Sequence, residues 1–398
     1  MARSGVTYPQ GFIAAGVACG LKKNGRTDLA YIRSETPAVS AGIFTTNIVK
    51  GHSLQWSRRQ IEGAVTSAIA INSGCANACV GEAGNKDAQT FAELVSSYAK
   101  CPVQQVLIGS TGVIGYRLSL DKIAAGLEKA ANEASSDGGN SAAVAVMTTD
   151  TFEKEVHASS LIDGIEVRVG GMAKGSGMIH PNMATMISVI TTDVAISAEL
   201  LDQALKSAAN MSFNRISVDG DTSVCDKVLI LANGMAGNPI ISEEGEAFQK
   251  FMTALKTVSV GLSKMLAKDG EGATKLLQFQ ILGAQDQETA HQVLNSICKS
   301  PLVKTAFFGE DANWGRILTA AGYSGAMFNP DAVDIFLGTV QVCKNGCGLP
   351  FDEQEALHIL KEKEIVITIN LNSGTYEDMM WTCDFSYDYV KINGSYRT

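Results

Sequence analysis

The chain reads as an α/β (α+β) protein in which mixed sheets pack against helices, and three observations predict it. Apolar runs of strand length, at residues 65–71 and 106–108, stop at glycine- and serine-rich segments. Longer stretches between them carry apolar residues at helical spacing, as in Ile123, Leu127, Ala130 and Ala134 behind Ser119. In the last third, apolar residues alternate with polar ones, the period of a strand with one buried face. With 398 residues, 45% of them hydrophobic, the chain has material for two or more domains or one large α/β body.

Near the start, Gly11-Phe12-Ile13-Ala14-Ala15-Gly16-Val17-Ala18-Cys19 has the length of a short signal core. Only Arg3 precedes it as a basic residue, Pro9 stands just ahead, and the run is rich in glycine, so a buried strand or turn is expected. Residues 65–71 read as a buried strand ending in Asn72-Ser73-Gly74. Val106-Leu107-Ile108 reads as another, ending in the turn Gly109-Ser110-Thr111-Gly112. Ser119 is the expected N-cap of the next helix. Residues 135–141, with Asp137-Gly138-Gly139-Asn140, read as a loop, and Val144-Ala145-Val146 leads on into Met147-Thr148-Thr149-Asp150-Thr151. A strand over 186–190 precedes a helix with Leu200, Leu201, Leu205 and Ala208 on one side. Helical character continues from Ser242 toward Leu266, weakened by Gly245 and Gly261. Leu277, Phe279 and Ile281 alternate with Gln278 and Gln280. Ile365, Ile367, Ile369 and Leu371 alternate with Val366, Thr368 and Asn370; Asn372-Ser373-Gly374 turns the chain; Trp381, Cys383 and Phe385 alternate again. Period and turn chemistry predict a hairpin there. No repeat of 20–50 residues is visible.

The net charge of −9 excludes nucleic acid as the main partner, because phosphate binding needs a basic surface. No apolar run approaches the roughly 20 residues that span a bilayer, so the expectation is a cytoplasmic protein without a membrane partner. Nine cysteines are scattered along the chain. Cys75/Cys79 and Cys343/Cys347 are not C-x-x-C pairs and have no histidine at ligand spacing. They read as buried reduced thiols of a cytosolic enzyme, with no metal site.

The chemistry centres on Lys174-Gly175-Ser176-Gly177-Met178-Ile179-His180-Pro181-Asn182-Met183-Ala184-Thr185-Met186. An Ala-Thr pair by itself only begins a strand. Cleavage of the Ala184–Thr185 bond would give Thr185 a free α-amine beside its own hydroxyl. Such an amine has a pKa of about 7.7–8.0, and an N-terminal amine is a recognised activator of a threonine nucleophile. The long segment resembles, almost position for position, the self-cleavage site of the ornithine acetyltransferase family, the glutamate N-acetyltransferases of arginine biosynthesis. Ile187 stands where the family has leucine. The resemblance runs from Phe44-Thr45-Thr46-Asn47 to Asn393-Gly394-Ser395-Tyr396-Arg397-Thr398.

That resemblance implies a layered sandwich of two mixed sheets between helices, with a smaller C-terminal domain. It implies an α chain of residues 1–184 and a β chain of 185–398 that begins with the nucleophile Thr185 and includes that smaller domain. The implied reaction moves acetyl from N2-acetylornithine to glutamate without a cofactor. Acetyl-CoA is a candidate second donor, which would add N-acetylglutamate synthase activity. The implied assembly is a heterotetramer of two α and two β chains.

Other residues gain or lose meaning from it. Gly109-Ser110-Thr111-Gly112 is an ordinary turn or a cradle for an oxyanion; the resemblance assigns Thr111 and Gly112 to the oxyanion hole. Lys174 is a solvated lysine or a ligand group, and it is out of order for a phosphate loop. Glu271, between two glycines, suits an ammonium or is a solvated turn acid. The resemblance makes Thr148, Lys174, Thr185, Glu271, Asn393 and Thr398 substrate contacts, with Thr149 and Thr151 as close neighbours of Thr148. The cluster Ser217-Val218-Asp219-Gly220-Asp221-Thr222-Ser223 lacks the EF-hand pattern. Val224-Cys225-Asp226 departs from the family's Thr-Asn-Asp, which bears on local packing. His180 is near Thr185 in sequence, but an N-terminal amine makes a histidine base unnecessary. The rival readings are an N-terminal-nucleophile aminopeptidase of similar fold, separable by a donor/acceptor assay, and a binding protein, which would stay one intact chain.

Overall fold

The computed structural model describes residues 3–180 and 186–395; Ala184, Thr185 and Thr398 lie outside them. The chain begins β1 (Phe12–Val17), β2 (Leu29–Phe44), α1 (His52–Gln60), β3 (Val65–Cys75), α2 (Glu82–Ala99), β4 (Val106–Val113), α3 (Leu120–Glu133) and α4 (Gly139–Val146). It continues β5 (Lys154–Ile162), β6 (Ile165–Lys174), β7 (Ile187–Thr192), α5 (Ala198–Asn210), β8 (Ile216–Ser217), β9 (Lys227–Ala232), α6 (Glu246–Lys268) and β10 (Leu276–Ala284). It ends α7 (Gln287–Lys299), α8 (Pro301–Phe308), α9 (Trp314–Gly322), β11 (Asp334–Leu337), β12 (Val340–Lys344), β13 (Cys347–Gly348), α10 (Glu353–Leu360), β14 (Glu364–Asn370), β15 (Tyr376–Cys383) and α11 (Tyr387–Gly394). Two compact units result: Met1–Met178 with Asn182–Asn214 and Thr222–Leu262, and Ile179–Pro181 with Arg215–Asp221 and Ser263–Thr398.

The first unit holds a mixed sheet ordered β4-β3-β2-β9-β7-β6-β5, with β1 paired to β2. Its strands are apolar on both sides because both faces are covered. Ile69 and Ile71 of β3 face α4 through Ala142, Ala145 and Val146. Ala68 and Ala70 face α2 and α3 through Phe91, Val95, Ile123 and Leu127. Each such aliphatic or aromatic side chain contributes about 1.5–3 kcal/mol by leaving water. The β2–β3 register shifts between Arg33 and Ala38, and from Val39 to Phe44 β2 pairs with β9. Across the sheet, Lys227 Nζ of β9 donates to the Ile108 carbonyl of β4 at 3.0 Å.

Four local expectations change. Gly109 to Gly112 do not leave β4 as a turn; they continue it, paired in parallel with β3. Ser119 precedes α3 but makes no side-chain cap bond. The loop at 135–141 is cut short because α4 begins at Gly139. This helix lies directly on β1: a Cβ at Gly16 would fall 1.8 Å from the Ser141 carbonyl oxygen. Among the nine free cysteines, Cys79 and Cys347 are exposed rather than buried. Gly261 sits inside α6 because Val156 occupies the space beside it.

The second unit holds a mixed sheet ordered β13-β12-β11-β14-β10-β15-β8. The expected hairpin of β14 and β15 is absent. β10 lies between them, parallel to β14 and antiparallel to β15. The turn itself is where the sequence puts it, with Asn372 at φ 48. However, Leu371 and Ser373 donate their N–H groups to Leu282 and Gly283 of β10. Period and turn residues locate two strand ends; they do not say whether a third strand fits between. Leu277, Phe279 and Ile281 pack on Val293, Leu294 and Ile297 of α7 and on Ile317 of α9.

Candidate active site

Motif residues on either side of the Ala184–Thr185 bond hold adjacent strand ends. Lys174, the last residue of β6, is the register partner of Ile187, the first of β7. Met186 is buried, and its carbonyl accepts the Lys227 N–H at 3.0 Å. The residue after Thr185 is therefore anchored at the head of a strand flanked by β6 and β9.

The Lys174 side chain is buried and donates to the Thr148 hydroxyl at 2.7 Å. Two residues that sequence reading treated separately thus meet. Behind them lies Asp150, which sequence reading missed. Its Oδ1 accepts from Lys154 Nζ at 2.8 Å and from the Gly175 N–H at 2.6 Å. Its Oδ2 accepts from the Thr148 N–H at 2.9 Å and faces Lys174 Nζ at 3.8 Å. Burial alone would raise the Asp150 pKa, but Lys174, Lys154 and the Thr148 amide outweigh it and hold the carboxyl well below its ordinary range. Nearby, Lys22 Nζ donates to the carbonyls of Thr27 at 2.9 Å, Ala145 at 3.4 Å and Met147 at 2.6 Å. Burial, helped by Arg26 and Lys174 and opposed by Asp28 and Asp150, pushes the Lys22 ammonium down to about 8.

Thr111 and Gly112 lie near the end of β4. Gly112 has φ +125, and a Cβ there would lie 2.5 Å from the Gly74 carbonyl carbon, so only glycine fits. Among the described residues, no hydrogen bond links these two to Thr148 or Lys174. Cys225 bears on the packing question raised by Val224-Cys225-Asp226: it packs against Ala76 and Ala78, and its thiol donates to the Ala76 carbonyl at 3.8 Å. Asp226 beside it is buried, and no hydrogen bond reaches either carboxyl oxygen among the described residues.

In the second unit, Glu271 is buried rather than solvated, and Asn393 of α11 donates to its Oε2 at 2.7 Å. These two expected substrate contacts also meet. Asp219 accepts from the N–H groups of Ile179 at 3.0 Å and Asp221 at 3.2 Å, and from the Tyr389 hydroxyl at 3.3 Å. The polar cluster at 217–223 therefore organises backbone. Burial, then the charges of Lys299 and His291, pushes His180 down to about 4, which leaves it neutral near pH 7.

The sequence matches the ArgJ family over residues 13–398. The chain belongs to the ArgJ family. The arginine biosynthesis bifunctional protein ArgJ of Symbiobacterium thermophilum is 48% identical over 396 residues, 99% of this chain and 98% of that protein. Its namesake from Thermotoga neapolitana is 46% identical over 398 residues, 98% of this chain and 99% of that one. A crystal structure of the Bacillus halodurans ArgJ protein is 41% identical with a TM-score of 0.50, covering 51% of this chain and 96% of that chain. As an ArgJ-family member the chain is an acyltransferase of arginine biosynthesis, a glutamate N-acetyltransferase of the ornithine acetyltransferase kind. No helix among the described residues is long and apolar enough to cross a membrane.

Proposed function

We propose that the chain cleaves itself between Ala184 and Thr185 and then carries an acetyl group on Thr185. In maturation the Thr185 hydroxyl attacks the Ala184 carbonyl, and water hydrolyses the resulting ester to give chains 1–184 and 185–398. In turnover the freed α-amine takes the hydroxyl proton as the oxygen attacks the acetyl carbonyl of N2-acetylornithine. The tetrahedral intermediate is stabilised by Thr111 and Gly112. It collapses, the amine returns the proton to the leaving nitrogen, and ornithine departs. The glutamate amine then attacks the acetyl-threonine ester, which releases N-acetylglutamate and restores the hydroxyl. Thr148, Lys174, Glu271, Asn393 and Thr398 hold the substrates. Acetyl-CoA serves as a second donor, and two α and two β chains assemble in the cytoplasm.

One observation carries this reading: the motif threonine immediately precedes Met186, which is fixed at the head of β7 beside a buried Lys174 bonded to Thr148. Intact mass under denaturing conditions tests cleavage. The larger fragment should begin Thr-Met-Ile-Ser, and an active enzyme that stays one chain would exclude the mechanism. Thr185→Ala should stop both cleavage and transfer, while Thr185→Ser keeps part of each. In processed enzyme, Thr111→Ala should lower kcat by about 10²–10³, whereas Glu271→Gln should mainly raise KM for N2-acetylornithine. Acyl release to water without transfer to glutamate would favour the aminopeptidase.

A further inference from the structure

The group in the first unit that the proposed mechanism leaves unused is Asp150. A buried aspartate beside a buried lysine invites the reading that each exists to neutralise the other. The contacts argue for more. Asp150 Oδ1 serves Lys154, at 2.8 Å, and the Gly175 amide, at 2.6 Å. Oδ2 is spent on the site: it accepts the Thr148 N–H at 2.9 Å and faces the Lys174 ammonium at 3.8 Å. Lys174 closes the loop by donating to the Thr148 hydroxyl at 2.7 Å. Thr148 is thus held twice, by its backbone on Asp150 and by its hydroxyl on Lys174. Lys22 fixes the peptide ahead of it through the Ala145 and Met147 carbonyls.

We propose that Asp150 is a positioning residue: its second carboxylate oxygen sets Lys174 and Thr148 in the arrangement that receives a substrate carboxylate, independently of its pairing with Lys154. The inference rests on the reading of Lys174 and Thr148 as substrate contacts. An ionised carboxylate is needed because three hydrogen-bond donors and a second ammonium converge on it. An asparagine in its place has one acceptor oxygen and would turn an N–H₂ toward either Lys154 or the Thr148 amide. A lysine free to swing by an ångström weakens recognition of a charged ligand more than it alters chemistry at a distant acetyl carbon.

The test uses the full-length, self-processed enzyme, with complete cleavage verified by intact mass. The double variant Asp150→Asn/Lys154→Met removes one buried carboxylate and one buried ammonium together, so the charge balance of the pocket is kept. If Asp150 only neutralises Lys154, this variant restores both stability and wild-type KM. The expected result is restored thermal stability with KM for N2-acetylornithine raised about tenfold or more and kcat within about threefold. Asp150→Glu keeps the charge for Lys154 but displaces both oxygens, and should show the same split. A folded variant of either kind with wild-type KM overturns the proposal. Lys174→Met separates the two levels. If it leaves KM unchanged, the site reading fails and takes the inference with it. If it raises KM while the double variant does not, only the role of Asp150 fails.

Discussion

Asp150 and Asp226 are both buried aspartates of the same unit, both feel the charge of Lys174, and their pKa values are driven in opposite directions. At Asp150, two ammonium groups and two backbone amides point at the oxygens, and the carboxyl stays ionised. At Asp226, burial dominates and drives the pKa well above its ordinary value. The amides of Met186 and Ser223 and the charges of Lys174 and Lys227 pull the other way without outweighing burial, and Lys227 spends its ammonium on the Ile108 carbonyl. A charge nearby does not keep a buried carboxyl ionised. Donors in contact with its oxygens do.

The largest effect should come from stripping Asp150 of its nearest cation. Lys154→Met keeps the volume but leaves a buried carboxylate short of its hydrogen-bonded ammonium. Breaking one side of a buried pair costs about 3–5 kcal/mol, so urea unfolding at neutral pH should show a loss of that order. A loss under about 1 kcal/mol would mean that Lys154 is replaceable by solvent and would blur the contrast with Asp226.

Much of this was legible in the sequence and some could not be. The strand over 65–71 follows from its apolar run, because both its faces are buried, and the helices after Ser119 and around Leu200 to Ala208 follow from period, because one buried face imposes it. The motif around Thr185 and the weight given to Thr148, Lys174, Glu271 and Asn393 came from resemblance; the contacts Lys174–Thr148 and Glu271–Asn393 add geometry that no spacing could give. The hairpin failed because β10, some eighty residues earlier in the chain, inserts between β14 and β15. Asp150 was passed over for a related reason. Its partners Lys174 and Gly175 arrive from the far end of β6, and a buried carboxylate is defined by groups that are remote in sequence. Asp226 closes a segment that departs from the family pattern, yet nothing in Val224-Cys225-Asp226 says that burial drives its carboxyl's pKa up.

Asp226→Asn should move stability in a pH-dependent way. The folded-state pKa lies above the unfolded value of about 3.9, so the native chain holds a proton that the unfolded chain has already released. That contribution is fully present below about pH 4 and is lost as pH rises through the folded pKa. Asparagine cannot titrate. The variant should therefore gain on the wild type as pH rises above about 4, by up to about 1.4 kcal/mol per pH unit, in unfolding free energies measured across that window. A difference that stays flat with pH would show that Asp226 is ionised in the fold, and the two aspartates would then be alike.

Lys227→Met should have the smallest effect at neutral pH, and it isolates the cation's side of the comparison. Burial pushes the Lys227 ammonium down to about 8, with Cys225 and Asp226 pulling the other way. Its one acceptor among the described residues, the Ile108 carbonyl, also receives the Ser57 hydroxyl at 2.7 Å and so keeps a partner when the lysine is lost. The lost charge-assisted bond is offset by no longer burying a charge, and the variant should lie within about 1 kcal/mol of the wild type near pH 7. Above about pH 8 the native lysine gives up its proton while the unfolded chain holds its own up to about 10.4. The unfolded state then binds more protons, and wild-type stability rises with pH in that window. Methionine has no such term, so its deficit should grow from about pH 8 upward. If Lys227→Met instead costs as much at neutral pH as Lys154→Met, Lys227 is the working counter-ion of Asp226, and the difference between the two carboxyls lies elsewhere than in donor contact.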